Sequence, residues 1–451
     1  MSLDEAVGPA RTRRERLGLP RVRGTGPLLT ASLVDSLGSG LFLPYTLLYF
    51  LDTTRLPLAA IGVALSAAAA LALPCSALFG PLVDRIGARR SVALANLVQA
   101  AGFLGYLRAG SAWQITAFGF LANAGQNLFW TANGALVGLV CEPADRARWF
   151  GLLRVVRNAG TGVGALLAAA LATGAGPTGG RAVVVANAGS FLLAGAVLAR
   201  WRPREPGAGA GGPGAGAGPV TAPAPAAAAI AASTPERRSA GGYRAVLADR
   251  PFAALNAATL LFVLNLLAVP LVLMLYTTRT LGRPAWVAGL LIAGNTALVA
   301  ALQTPLAELL RRRYGPYRLR LAAAMFAAAS VLLWSAAAAG TGWAAVGLVA
   351  GLLAYTAGEI VCSPVLPDLV ASLAPPGLSG RYFALHQTCW SLATVLAPSL
   401  FTRLLDRGSA WLWTALLAVA CLAFLLATGI ERPPRGRERA AAGALRGPNM
   451  L

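Results

Sequence analysis

The chain is 451 residues long, 57% hydrophobic and only 12% charged, with a mean hydropathy of +0.63. That balance excludes a string of soluble domains and marks a membrane protein. The formal charge of +21 is carried by arginine alone, since no lysine occurs, and the arginines gather in tails and loops between apolar runs, which points to anionic lipid headgroups and away from nucleic acid.

The first 26 residues are polar and hold six arginines. They lead into a 25-residue apolar run that is too long for the core of a signal peptide and is followed by no A-x-A site, so it reads as an uncleaved first span. Twelve runs reach the ~20 residues that cross a bilayer. They lie at 27–51, 57–79, 91–107, 112–140, 150–173, 182–199, 251–276, 285–307, 321–339, 343–367, 382–402 and 409–430. Eight of them contain no Asp, Glu, Arg or His; the exceptions hold Asp35, Arg154 with Arg157, Glu359 and His386. With the N-terminus inside, the inner segments carry 29 arginines against 7 in the outer ones, so the positive-inside bias predicts both termini in the cytoplasm and a multi-pass cell-membrane protein.

Between the sixth and seventh runs, residues 202–249 are rich in Gly, Ala and Pro, a composition that buries no core and predicts a flexible tether. The chain therefore divides into a basic tail (1–26), a six-helix bundle (27–201), a cytoplasmic linker (202–249), a second bundle (250–430) and a second basic tail (431–451). An internal repeat supports the halving. Arg148-Trp-Phe-Gly-Leu152 is echoed by Arg381-Tyr-Phe-Ala-Leu385 at an offset of 233, and Gly80-Pro-Leu-Val-Asp84 by Thr304-Pro-Leu-Ala-Glu308 at 224.

The stretch Gly80 to Arg90 packs Asp84, Arg85, Arg89 and Arg90 with Gly80 and Gly87 between two apolar runs, and reads as a short loop that turns sharply on glycine. Its spacing, G-x-x-x-D-R-x-G-x-R-R, resembles the loop between the second and third helices of the major facilitator superfamily of transporters. Ala88 stands where that family usually has a further basic residue. The resemblance covers about 27–430 and implies an all-α membrane fold of twelve transmembrane helices in two pseudo-symmetric six-helix bundles. It also implies export of drug-like or secondary-metabolite compounds more than sugar uptake. Two patterns of the family's exporters are missing: Gly164-Ala165 and Ala168-Ala169 stand where G-P and G-G are usual, and Asn123-Ala-Gly-Gln126 stands in place of R-x-x-Q-G.

Several polar residues lie inside the runs. A carboxylate in mid-span costs about 2.5–3.5 kcal/mol on insertion scales and so faces a cavity or a partner. Asp35, on a stripe with Ser32, Ser39 and Thr46, and Glu359, on a face with Tyr355, Cys362 and Ser363, are the candidate proton-coupling groups. For Asp35 a fixed ion pair with Arg154 or Arg157 is the alternative. Asn123, Gln126, Asn127, Trp130 and Thr131 recur at helical spacing on the fourth run, either lining a wet cavity or bonding neighbouring helices. With Tyr355 and His386 they form the candidate substrate cavity, although a lone histidine near a helix start also reads as an ordinary hydrogen-bonded side chain. Asn256, Asn265, Asn295 and Gln303 add polarity without a sharper role. Asp84 and Glu308, from the loops 80–90 and 304–318, are expected to latch the inner side against the starts of the eleventh and fifth helices.

The expected function is a secondary transporter that works by alternating access. Without lysine the ATP-binding loop G-x-x-x-x-G-K-[ST] is impossible, so energy must come from a gradient. The natural form is proton-coupled efflux; uptake by the same fold and a receptor without flux are the alternatives. No cofactor or metal is expected: one histidine excludes a histidine-rich metal site, and the five cysteines, with no C-x-x-C pair, read as small apolar side chains. Gly377-Leu-Ser-Gly380 matches the G-x-S-G string of intramembrane serine proteases. However, seven residues of helix put Ser379 about 10 Å from His386, the only base available, so no enzyme is expected. The partners are a small-molecule substrate, protons and anionic lipids, and the chain is expected to be a monomer.

Overall fold

A computed structural model describes residues 25–140, 146–174, 176–201, 246, 248–310, 313–338, 341–375 and 378–430. Both basic tails and nearly all of the 202–249 linker lie outside the described residues. Twelve helical rods account for almost all of the rest: α1 (Gly26–Thr53), α2 (Leu58–Ala72, continued as Ser76–Ile86), α3 (Ala88–Tyr106), α4 (Ala112–Val140), α5 (Arg146–Gly174), α6 (Gly176–Arg200), α7 (Arg250–Thr280), α8 (Ala285–Leu310), α9 (Gly315–Ala338), α10 (Thr341–Leu373), α11 (Ser379–Asp406) and α12 (Ser409–Thr428). Seven are long and apolar enough to cross a membrane on length and composition alone, and the bent α2 makes an eighth. The other four, α3, α4, α5 and α11, carry more polar side chains. Even-numbered rods start where odd-numbered ones end. Thr25, Gly87 and Ile430 therefore share one end of the molecule, hereafter the loop end, opposite a far end.

Proline explains most departures from a straight helix. In α1, Pro44 sits in a 3₁₀ turn, Leu43–Tyr45. In α2, Pro74 opens a break at 73–75, and the two pieces meet at 52°. At the repeat offset of 224 the counterpart of Pro74 is Leu298, and α8 runs unbroken there. The proposed loop 80–90 needs correction. Ser76–Ile86 is helical even with Pro81 inside it, and α3 begins at Ala88. The sharp turn is confined to Gly87, whose φ of +85° suits glycine because it has no Cβ to clash.

The rods pack as two sets of six. In the first, α1 lies against α5 and α6, and α3 against α4 and α6; in the second, α9 lies against α10 and α12, and α7 against α11 and α12. The structure adds a repeat that the motifs did not reveal. Tyr49, late in α1, donates its hydroxyl to the Tyr106 carbonyl at the end of α3. Tyr276, late in α7, does the same to the Leu333 carbonyl of α9. Both donors and both acceptors are separated by 227 residues, an offset close to those of the two sequence echoes.

Leucine and valine side chains stand exposed along the rods, among them Leu78, Leu97, Leu193 and Leu290, which is the apolar surface that lipid covers. Trp113, Trp286, Trp343 and Trp411 occupy the second or third residue of α4, α8, α10 and α12, and all four are exposed. They form a tryptophan girdle at the far end, where indole rings suit the boundary between acyl chains and headgroups.

The halves meet through α1 with α7, α2 with α11 and α5 with α8. Met274, Leu275 and Ala288 of the second half are buried among Tyr45, Phe50 and their neighbours in the first. A Cβ on Gly289 would lie 2.3 Å from that of Ala169, and one on Gly62 would lie 1.9 Å from Thr402 Oγ1. These contacts occupy the far end and the middle of the rods. At the loop end Asp84 stands exposed with no partner among the described residues.

Candidate functional site

The site begins with an unusually close approach of α1 and α5. A Cβ on Gly164 would sit 2.1 Å from the Leu37 carbonyl oxygen, and one on Gly40 would sit 2.2 Å from that of Thr161. Only glycine permits this spacing, and small residues are the common means of packing helices in membranes. The contact carries Asp35 into the interior, where it is 3% exposed. It also brings Arg157 within 3.3 Å, Nη1 to Oδ2. The same guanidinium lies over the Trp130 ring of α4 at 4.2 Å and near the Phe129 ring at 5.5 Å. Two helices thus compensate this α5 arginine, by charge from α1 and by aromatic faces from α4.

One turn toward the loop end, Arg154 is exposed. An arginine eight residues into a spanning helix has nothing to gain from acyl chains. It acts electrostatically on Glu359 of α10, in the other half. Glu359 Oε2 accepts a hydrogen bond from Asn295 Nδ2 of α8 at 3.0 Å, and the same amide lies 3.0 Å from Thr356 Oγ1. Asp35 with Arg157 in the first half and Glu359 with Asn295 in the second, with Arg154 within electrostatic reach of Glu359, thus make up an ionisable layer. It holds two acids and two arginines. Its formal charge is zero with both acids ionised and +1 when either takes up a proton.

Residues 28–398 match the sequence model of the Major Facilitator Superfamily. The chain belongs to this superfamily. It is 25% identical over 399 residues to the multidrug resistance protein MdtH of Enterobacter sp., covering 88% of this chain and 90% of that one. It is 30% identical over 152 residues to MdtH of Salmonella paratyphi C, a match that spans 38% of that relative. The fold resembles a mutant of the nucleoside transporter NupG, with a TM-score of 0.67, 14% identity and 90% and 98% of the two chains covered. It also resembles the human organic anion transporter TETRAN, with a TM-score of 0.55, 17% identity and 90% and 99% covered. The protein is thus a membrane transporter of the superfamily with its twelve-helix, two-bundle fold.

Within that fold the remaining candidates fall in different places. Ser36 and Ser39 donate to the carbonyls of Ser32 and Asp35, so these α1 hydroxyls are spent on their own helix rather than forming a polar path. In α4, Gln126 is exposed, Thr131 is buried and bonded to the Asn127 carbonyl, and Asn123 bonds the Gly119 carbonyl at 2.8 Å. Asn127 reaches α2 and donates to the Ala72 carbonyl at 3.3 Å, an acceptor freed by the break at Pro74. Tyr355 does the same for Pro270: its hydroxyl donates at 2.6 Å to the Leu266 carbonyl, which the proline leaves without an N–H. His386 is buried, with Nδ1 3.4 Å from Thr259 Oγ1. Asn127, Tyr355 and His386 thus each have a hydrogen-bond partner on a neighbouring helix.

In the superfamily-like loop, Gly80 is buried, Arg85 and Arg90 are exposed, and Arg89 donates to the Ala199 and Trp201 carbonyls at 3.0 and 2.6 Å, capping the end of α6. Glu308, the counterpart of Asp84, is exposed. The echoed motif at the start of α11 is also put to use. Tyr382 donates at 2.7 Å to Asp249 Oδ2, while Asp249 Oδ1 caps the start of α7 through the Phe252 N–H. Sequence reasoning missed the polar ties at the far end, the ion pair of Asp52 with Arg279 and the Ala59 N–H on Asp406 Oδ2 at 3.0 Å. It also left Asn295 without a role; its place one amide from a membrane carboxylate emerges only when α8 and α10 are packed.

Proposed function

We propose that this protein exports drug-like or secondary-metabolite compounds from the cell in exchange for protons, its two halves rocking about the ionisable layer. The observation that carries the reading is one membrane carboxylate in each half, Asp35 paired with Arg157 at 3.3 Å and Glu359 held by Asn295 at 3.0 Å, with Arg154 within electrostatic reach of Glu359. A proton taken up at Glu359 removes the attraction between the halves at mid-span and leaves a net positive layer. A substrate entering from the loop end displaces that proton or follows it. Asp35 then serves as the counter-ion that keeps Arg157 in place, and as a second acid within the same layer. Gln126, Trp130 and Arg154 are the side chains we assign to the substrate; Asp84 and Glu308 are the groups we assign to closing the loop end.

The multidrug relative, aligned over most of both chains, supports efflux as the direction. The arginine-rich tails and loops support a cytoplasmic loop end, both termini inside and anionic lipid around the inner rim. We further propose that 202–249 tethers two bundles, 27–201 and 250–430, that move as units, and that the transporter acts as a monomer in the cell membrane. The test is a panel of labelled amphiphilic compounds in proteoliposomes, with and without an imposed pH gradient. Gradient-dependent movement of at least one compound in through the loop end and out at the far end supports the proposal. Equal movement without a gradient overturns proton coupling, and movement only in the opposite direction makes the protein an uptake permease.

A further inference from the structure

We propose that Asp52 and Arg279 form a latch that holds the far end of the transporter shut. They sit at the far ends of α1 and α7, and Arg279 Nη2 is ion-paired to Asp52 Oδ1 across the two halves. Their separation is 227 residues, the same offset that relates Tyr49 to Tyr276 and Tyr106 to Leu333. Asp52 and Arg279 are thus equivalent positions of the repeat. Equivalent positions lie opposite each other across the pseudo-two-fold axis, and near that axis they touch only when the halves come together. A faithful duplication would put two like charges there and drive the halves apart. This chain has opposite charges instead, so the repeat has diverged at the one place where divergence creates attraction.

The surroundings fit a contact that is made and broken. Tyr45 lies within electrostatic reach of both charges, and just beneath them Met274 and Leu275 are sealed against the first half. No rocking motion opens that seam without parting Asp52 from Arg279. A second tie of the same kind stands on the other side of α2. Asp406 at the end of α11 accepts the Ala59 N–H in the first turn of α2, a carboxylate at a helix N-terminus. The Arg279 side chain is 58% exposed and that of Asp52 30%, so the pair belongs to the class of exposed ion pairs. Its loss therefore changes the ratio of open to closed far ends by about two- to fivefold. A contact present in one state only shifts the equilibrium by its whole worth. The latch concerns the far end alone and stands whichever cargo is carried.

The experiment follows the rate at which a water-soluble maleimide labels Met274→Cys in lipid nanodiscs, above the background of the same protein without that cysteine. Met274 is fully buried in the seam, so labelling reports far-end opening. D52R, R279D and the near-isosteric D52N are each expected to raise the rate two- to fivefold or more. The charge-swapped pair D52R/R279D is expected to return it to the parent value. An unchanged rate in D52N overturns the proposal even if the charge-reversed variants fail to fold. A swapped pair that labels as fast as the single variants overturns it as well.

Discussion

The Asp35–Arg157 pair makes the strongest demand on the structure. The Asp35 side chain is 4% exposed and that of Arg157 22%, with Nη1 and Oδ2 3.3 Å apart. Removing one member of a buried pair costs about 3–5 kcal/mol, chiefly because the survivor is left as an uncompensated charge. Asp35→Asn leaves Arg157 its place over Trp130 at 4.2 Å, worth about 0.5–2 kcal/mol. Its cost is therefore expected near 2–4 kcal/mol, below that of Arg157→Gln. The double variant leaves two neutral amides able to bond each other and is expected to lose less than either single one. At roughly 1 °C per kcal/mol for a chain of this size, Asp35→Asn lowers the melting temperature by about 2–4 °C. The unfolding of the purified protein, followed through its ten tryptophans, measures this directly. A double variant that melts at the sum of the single losses, or an Asp35→Asn protein that melts with the parent, would refute the reasoning.

Other expectations rest on different contacts. Gly164→Val forces a side chain onto the Leu37 carbonyl, so the α1–α5 contact opens at a cost of about 1–3 kcal/mol, seen as a lower melting temperature and poorer yield. Tyr355→Phe leaves the Leu266 carbonyl without a donor and costs about 1–3 kcal/mol. Because the hydroxyl is occupied within the helices, the apparent KM for any transported compound stays at the parent value; a large rise in KM would return Tyr355 to the substrate cavity. Asn295→Ala removes the amide that holds Glu359 and is expected to reproduce the transport defect of Glu359→Gln, a likeness measured by their pH profiles in proteoliposomes.

The rods, their number and their division into six and six were legible because lipid demands long apolar runs and the duplication left two echoes. The α2 boundary was not. Gly80 and Pro81 suggested a loop, yet the pieces on either side of Pro74 both stay helical, since an isolated proline breaks one or two hydrogen bonds and not a whole turn. Among site residues, charge in mid-span was enough to single out Asp35, Glu359, Arg154 and Arg157. Which acid meets which arginine depended on Gly40 and Gly164 bringing α1 and α5 together, a contact between residues over a hundred positions apart. Amides and hydroxyls were the least legible. Asn127 and Tyr355 bear the polarity of a ligand site, but each satisfies a carbonyl that a proline on another helix releases, and no periodicity along one helix reports that. The Asp52–Arg279 pair was present in the repeat all along, at an offset that only the two tyrosine bonds made plain.

The central claim is that protons taken up by the acids of the ionisable layer are exchanged for substrate. It is tested most directly with a pH-sensitive dye trapped in proteoliposomes, by adding a transported compound and following the lumenal pH. The parent protein is expected to move protons when substrate is added, and Glu359→Gln, which keeps the shape of the side chain, to move none while still binding the compound. Proton movement of equal size in the Glu359→Gln protein would contradict the account.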